Sequence, residues 1–210
     1  RDIFLDDSDL YDFGGINRDP LPFYSRRIGL DASGNRQDVD LGVKATGRLG
    51  QYRLGFLNTK MNGSGDVDGE NLGVLRLRTD VRRESPAGLI RTWGDPAGGR
   101  ATTAGVDFNW RRSDLEDGGT ATGNAWAQFT DNEDSSGGAF GGKLSYSSDT
   151  FSIRGGVARL LEGFDPKLGF VRVPEADEWF YGIYRAWRPE NPLIRRVRFG
   201  MFGSIYDEIR

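Results

Sequence analysis

The side chains of this chain that could do chemistry are mostly basic, and they recur at every second position of long alternating runs. Across residues 72–82, Arg76 and Arg78 alternate with leucines, so basic and apolar side chains fall on opposite faces of a strand. A basic face that lines a water-filled interior would favour anionic solutes or sugar acids. The same side chains could instead pair with acids on neighbouring strands and only solvate one face. The candidates are Lys44, Arg48, Arg53, Arg76, Arg78, Arg82, Arg111, Lys143, Arg154, Arg196 and Arg198.

A second group of candidates is aromatic. Residues 178–187 carry aromatic side chains on both faces of one predicted strand. Aromatic rings could stack on sugar rings, whereas a strand buried on both sides would have the same composition. The stacking candidates are Trp179, Tyr181, Tyr184 and Trp187, beside Phe180.

The composition excludes most enzyme chemistry. The 210 residues include no His and no Cys, which excludes Ser-His-Asp and Cys-His catalysis and the zinc sites that need these ligands. Glycoside hydrolysis by paired carboxylates is the chemistry left open, with Glu84, Glu162 and Glu178 as candidates, although their spacing places no two in one cleft. Because 28 Lys and Arg face 31 Asp and Glu, for a net charge of −3, nucleic acid is not an expected partner.

Acidic and glycine-rich stretches offer little support for a metal or cofactor. Asp and Glu cluster at residues 6–12, 66–70 and 131–134, but none of these clusters matches a calcium-binding EF-hand loop. Polar hairpin tips have the same composition. The glycine pairs lack the Lys-Ser/Thr ending of a phosphate-binding loop. We therefore expect no metal site and no cofactor.

The elements that must position these side chains are unusually long β-strands. Apolar residues recur at every second position over runs of ten to twelve residues, where strands of soluble proteins usually have about five or six. In residues 38–49, Val39, Leu41 and Val43 fall on one face and Lys44 on the other. Strands of this length and pattern are typical of transmembrane β-strands.

Turn residues separate about nine or ten such strands by hairpin-length links, which predicts an all-β, antiparallel, up-and-down meander. Strands of a soluble β-sandwich also alternate apolar and polar residues. The strand length and the long polar tips favour an outer-membrane-type β-barrel, or a part of one, over a sandwich. The mean hydropathy of −0.55 is compatible with either fold. We divide the chain into an irregular, loop or plug-like segment at residues 1–36 and a barrel segment at residues 37–210.

Several motifs follow one another along the chain in a definite order and spacing. They are Phe4-Leu-Asp-Asp-Ser-Asp-Leu-Tyr-Asp-Phe-Gly14, Phe23-Tyr-Ser-Arg-Arg-Ile-Gly-Leu30, Val43-Lys-Ala-Thr-Gly-Arg48, Val74-Leu-Arg-Leu-Arg-Thr-Asp-Val81 and Glu162-Gly-Phe-Asp-Pro-Lys-Leu-Gly-Phe170. Together they resemble a bacterial outer-membrane β-barrel domain of unknown function, which in that family usually follows a family-9-like carbohydrate-binding module. The resemblance implies a Gram-negative outer-membrane or periplasm-facing location, a carbohydrate module before Arg1 and further strands beyond Arg210.

Three hypotheses of function follow. The first is a non-enzymatic outer-membrane barrel segment that serves as a pore, a glycan-handling platform or a membrane anchor, with lipid and glycan as partners. The second is a β-rich structural subunit of a larger envelope complex, whose apolar faces are covered by other subunits. The third is a carboxylate-based glycoside hydrolase.

Overall fold

The computed structural model describes residues 8–16, 20–30, 34–62, 69–82, 84–190 and 193–208, which form one ten-stranded antiparallel sheet. Each strand pairs with its neighbours in the chain, so the predicted all-β, up-and-down meander is confirmed. In the described residues no pairing joins the first strand to the last, and the sheet is open. The strands are β1 Val39–Leu49, β2 Tyr52–Met61, β3 Asn71–Arg82, β4 Ser85–Trp93, β5 Ala101–Arg112, β6 Thr120–Asn132, β7 Ser136–Ser147, β8 Phe151–Leu160, β9 Ala176–Trp187 and β10 Val197–Glu208.

The described part of the N-terminal segment lies against one face of the sheet, which we call the inner face; the opposite face is the outer face. Leu10 packs over Gly55 of β2 so closely that a Cβ at Gly55 would lie 2.7 Å from the Leu10 side chain. Farther along the sheet, the Gln128 side chain on β6 donates a hydrogen bond to the Pro20 carbonyl at 3.0 Å. The described residues of the segment include two short 3-10 turns, Ser8–Tyr11 and Ser25–Arg27.

The hydrophobic core lies between the inner face and two non-strand segments. The second of these, residues 161–175, connects β8 to β9 and is tied to the N-terminal segment by a bridge between Leu21 and Phe170. The Tyr24 amide donates to the Leu168 carbonyl at 2.7 Å and extends this contact. The core residues are Phe13, Ile28, Leu57, Met61, Leu72, Val74, Ile90, Trp126, Ala139, Leu160, Phe164 and Leu168.

The apolar side chains of β2 change faces along the strand. Tyr52 and Leu54 point outward, whereas Leu57 and Met61 point inward and are almost completely buried in the core. The end of β2 near Met61 is therefore covered on its inner face by the core, and its outward positions there are polar, as at Lys60.

The outer face carries a band of exposed apolar side chains. Cross-strand partners share a face, so the pairing assigns these residues to the outer face. Many are more than half exposed, including Leu89 at 52% and Met201 at 69%. Other members of the band are Leu41, Val43, Leu49, Tyr52, Leu54, Leu75, Val81, Val106, Phe108, Phe129, Phe140, Leu144, Phe151, Ile153, Val157, Trp179, Tyr181, Ile183, Trp187, Phe199 and Ile205.

The band slants across the sheet relative to the rows of paired residues. On β1 it runs from Leu41 to Leu49, and on β10 from Val197 to Ile205. We call the end of β1 at Leu41 the upper end of the sheet and the end at Leu49 the lower end. The row of paired residues that contains Leu49, at the lower end of the band on β1, also contains Ile205, at the upper end of the band on β10. The band is therefore displaced by its full height between the first strand and the last.

Three local features differ from the sequence-based expectation. The register shifts between Val39 and Leu41, and Val39 pairs with the inward Met61, so Val39 does not share the face of Leu41 and Val43 as predicted. Strand β4 begins at Ser85, whereas the sequence predicts a turn there and a shorter strand from Leu89 to Trp93. Strand β7 begins at Ser136, whereas the polar run of residues 131–138 predicts a hairpin tip.

Replacing Gly137 by Ala should destabilise the fold, because residues 162–164 pass directly over this position. An added Cβ would lie 2.3 Å from the Phe164 amide nitrogen and 2.5 Å from the Glu162 carbonyl oxygen. We expect denaturant unfolding, followed by tryptophan fluorescence, to show a loss of about 1–3 kcal/mol for Gly137→Ala.

Gly47→Ala is the matched control, since Gly47 also lies within a strand and an added Cβ there has no atom within 4 Å. Its free energy of unfolding should stay within about 0.5 kcal/mol of the parent. Equal losses in both variants would contradict the packing of residues 161–175 on β7.

Candidate functional site

A buried ion pair lies at the centre of the inner face. Arg76 on β3 and Asp107 on β5 face each other across β4, where Gly88 leaves room: a Cβ at Gly88 would lie 2.5 Å from the guanidinium. The pair is bidentate, with Nη1–Oδ1 and Nη2–Oδ2 distances of 2.6 and 3.1 Å. Both side chains are essentially inaccessible to solvent.

The N-terminal segment binds to this pair. Arg76 donates to the Asp12 carbonyl at 2.7 Å, and Asp107 accepts from the Gly14 amide at 3.0 Å. The Phe13 ring covers the guanidinium at 5.5 Å, within cation–π range. The ion pair is therefore the point at which residues 12–14 are fixed to the sheet.

The surroundings of this contact are desolvated. Burial raises the pKa of the Asp12 carboxyl, while the nearby Arg78 acts in the opposite direction. Removing one partner of a buried ion pair usually costs about 3–5 kcal/mol, because the other charge is left uncompensated in a site without water.

Arginines elsewhere on the inner face of β2–β5 also have partners, and we call this region the paired half. Arg53 lies 3.4 Å from Asp80, and Arg111 lies 3.8 Å from Glu84. Arg78 donates to the Asp9 carbonyl at 3.2 Å. Among these described contacts, Arg53–Asp80 joins a basic and an acidic side chain of neighbouring strands. Arg111 instead pairs with an acid of the β3–β4 turn, and Arg78 with a backbone carbonyl.

The inner face of β7–β10 differs, and we call it the open half. A cavity of about 710 Å³ lies there, bounded by Gly14–Ile16 of the N-terminal segment. Its charged lining comprises Lys143, Arg154 and Arg172 against the single acid Glu178. The cavity is also lined by Asn124, Trp126, Ser145, Phe180, Ser204 and Tyr206. We refer to this space as the inner cavity.

Two arginines flank one tyrosine ring beside the inner cavity. The guanidinium carbons of Arg154 and Arg198 lie 5.7 and 4.5 Å from the centre of the Tyr184 ring. Phe202 stacks on the same tyrosine, with ring centres 6.4 Å apart. Tyr184 on β9 thus stabilises two like charges on the strands at either side of it, β8 and β10.

A hydrogen-bonded group of three side chains forms another wall of the inner cavity. The Tyr206 hydroxyl donates to Glu178 at 2.7 Å. Arg172, from the segment between β8 and β9, donates to that hydroxyl and covers the ring at 5.2 Å. Glu178, the one acid of the cavity lining, is therefore held by Tyr206, which in turn is held by Arg172.

The structure separates the residues that the sequence grouped together. Tyr184 points inward, whereas Trp179, Tyr181 and Trp187 point outward and belong to the apolar band. Among the basic candidates, Arg76 is engaged in the buried pair and lines no open space. Lys44 and Arg48 lie on the inner side of the edge strand β1, and Arg196 donates to the Asp149 carbonyl at 3.0 Å.

The structure does not bring the candidate carboxylates together. Glu84 accepts from the Ser113 hydroxyl beside the β3–β4 turn, and Glu162 follows β8, whereas Glu178 lines the inner cavity. Within the described ranges, no group of three or more acidic side chains is arranged to hold a metal. Asp6, Asp7 and residues 66–68 of the acidic clusters lie outside the described residues.

Asp107, Arg172 and Tyr206 belong to the site but are not among the residues that the sequence pattern indicates. Alternation along residues 104–111 puts Asp107 on the polar face of its strand, but its partner Arg76 is 31 residues away and no local pattern points to it. The inward apolar residues Leu57 and Met61 were a usable signal, since they break the alternation of β2 and indicate a covered inner face.

No helix in the described part of the chain combines the length and hydropathy needed to cross a membrane. The chain has no significant match among protein-family models, curated proteins or solved structures.

Asp107→Asn should be strongly destabilising, because Arg76 would remain buried without a countercharge. We expect a loss of about 3–5 kcal/mol in the free energy of unfolding. The Gly14 contact should loosen as well, seen as faster proteolysis within the first 30 residues.

Asp80→Asn provides the control, since it removes the acid of the exposed pair with Arg53. Its effect should be less than about 1 kcal/mol. If both variants were equally stable, the buried pair would not be what fixes the N-terminal segment.

Proposed function

We propose that this chain is a wall of an outer-membrane β-barrel whose interior is occupied by its own N-terminal segment. The observation that carries the proposal is the slanted apolar band on the outer face. Its geometry is what a lipid bilayer requires of tilted strands.

The slant has the size expected for a barrel. The band moves eight residues along the strands, the distance from Leu41 to Leu49, over the nine steps from β1 to β10. With about 3.3 Å per residue and about 4.8 Å between strands, this corresponds to a tilt of roughly 30°. Strands of membrane barrels tilt by about 35–45°. A horizontal apolar layer around tilted strands accounts for the displacement of the band.

The height of the band supports the same conclusion. Eight residues at a tilt of roughly 30° span about 23 Å along the membrane normal, near the apolar belt of about 25 Å in outer-membrane barrels. The outward-facing charged residues of the described strands lie beyond the borders of the band or no more than one outward-facing position inside them. From there, long side chains can reach polar surroundings. These residues are Lys60, Arg91, Arg112, Asp131, Arg159, Asp177, Arg185 and Asp207.

Aromatic side chains lie toward both borders of the band. Trp93 and Trp179 lie toward the upper border, and Trp110 and Trp187 toward the lower one. Interfacial aromatic girdles are a feature of membrane barrels. The resemblance to an outer-membrane barrel domain, drawn from the sequence motifs, is consistent with this arrangement.

The inner face supports a role in handling a glycan or another solute, rather than a role as an open pore. Residues 12–14 are bound to the buried Arg76–Asp107 pair, and the core covers much of the inner surface of β2–β4. An interior filled in this way leaves the inner cavity of the open half as the space for a ligand.

One observation favours the second hypothesis, a subunit of a larger envelope complex. β1 and β10 are long edge strands that are exposed on both faces along most of their length. Such edges are templates for pairing with further strands, and lipid would leave their hydrogen-bonding groups without partners. The edges must be covered by more strands of the parent polypeptide or by another subunit.

Val106→Arg should weaken insertion into bilayers, because Val106 lies near the middle of the band on β5. Folding into phospholipid vesicles, measured by urea titration, should lose about 2–4 kcal/mol. Thr102→Arg, on the same face of the same strand but beyond the upper border, should lose about 0–1 kcal/mol.

A depth-independent effect of these two variants would contradict the membrane proposal. Solubility gives a second readout: we expect the parent protein to be monodisperse only in detergent or lipid. A monodisperse protein in plain buffer would support a protein-covered band instead.

A further inference from the structure

The two halves of the inner face differ in charge compensation. In the paired half, Arg76, Arg53 and Arg111 each have a carboxylate partner. In the open half, neither Lys143 nor Arg154 lies within ion-pair distance of a carboxylate of the described residues. The inner cavity therefore has two cationic side chains, Lys143 and Arg154, that no carboxylate of the described residues neutralises, and their field favours an anion.

The contacts of these cations are weak ones that a ligand could replace. Lys143 Nζ donates to the Gly15 carbonyl at 3.3 Å, and Arg154 Nη2 reaches the Tyr184 hydroxyl at 3.5 Å. Both side chains belong to neighbouring strands, β7 and β8, and line the same cavity. A carboxylate between them would replace the neutral carbonyl and hydroxyl acceptors by an anionic one, and hydrogen bonds in which donor and acceptor are both charged are the stronger ones.

The remaining lining is suited to a hydroxyl-rich ring rather than to a bare ion. The half-buried Phe180 side chain lines the cavity as an apolar ring, the largely buried Trp126 closes part of its wall, and Asn124 and Ser145 provide amide and hydroxyl groups. Glu178, held by Tyr206, is an acceptor for ligand hydroxyls. A volume of about 710 Å³ is within the usual range of small-ligand sites, about 300–1,000 Å³.

We propose that the inner cavity binds an acidic saccharide, with Lys143 and Arg154 holding its carboxylate and the neighbouring rings stacking on the sugar. The N-terminal residues Gly14–Ile16 form one wall, so the docked segment completes the site. This assignment rests on the solute-handling role proposed for the inner face and names its ligand class, whereas it does not depend on what covers the outer face.

Calorimetry on the intact protein in detergent tests the assignment, with a disaccharide of galacturonic acid as the probe. We expect the acidic disaccharide to bind, and Lys143→Gln and Arg154→Gln each to weaken binding about tenfold or more, the loss of one charge-assisted contact. Arg154→Lys, which keeps the charge, should retain part of the affinity.

Arg53→Gln is the matched control, because it removes an inner-face cation from the paired half and should leave the affinity unchanged. The neutral galactose disaccharide should bind at least tenfold more weakly than the acidic one, and inorganic phosphate likewise.

Three results would overturn the assignment. They are no binding of the acidic disaccharide, equal binding of the neutral one, and phosphate binding as tight as the saccharide. Each can occur while the protein still inserts into vesicles, so failure here is distinguishable from failure of the membrane proposal.

Discussion

The hydrogen-bond register of the sheet is the constraint on which the rest of this structure depends. Register fixes which residue of each strand stands at a given height, and with a side-chain period of two it also fixes the face. The apolar band shifts along the strands, relative to the rows of paired residues, between β1 and β10. It can therefore form one continuous horizontal layer only if the strands are tilted. The outer face therefore has a single physical role along its whole length, and polar functions are restricted to the inner face.

The charged side chains of the inner face have two different roles, one structural and one proposed for ligand binding. The buried Arg76–Asp107 pair is structural: it fixes residues 12–14 to the sheet and neutralises Arg76, which is completely buried. Exposed acids neutralise other arginines of β2–β5 at modest energetic benefit. The cations of β7 and β8 instead line a cavity whose one acid is engaged by Tyr206. The same residue type thus anchors the N-terminal segment on one side of the sheet and leaves a positive field on the other.

Much of the sheet could be predicted because its signals are local. Alternation along each strand predicted the strands and the opposite faces of Arg76 and the leucines beside it, and hairpin turns predicted the meander. Contacts between distant parts of the chain had no local signal: Gly14 binds Asp107 across 93 residues. The bulge near Asp40 reversed the face of Val39, since a single extra residue changes the phase of a strand. The aromatic candidates of β9 were separated because consecutive residues of a strand point to opposite faces.

Depth measurements on spin labels test the central claim, that a bilayer surrounds the slanted band, most directly. The chain has no Cys, so single cysteines can be introduced and labelled at Val106, Asp177 and Ile183. Val106 and Asp177 lie in one paired row, whereas Val106 and Ile183 both lie near mid-band. In vesicles, collisions with oxygen and with a nickel chelate should place Val106 and Ile183 at similar depth and Asp177 near the interface. Equal depth at Val106 and Asp177, or nickel access to all three sites, would contradict the account.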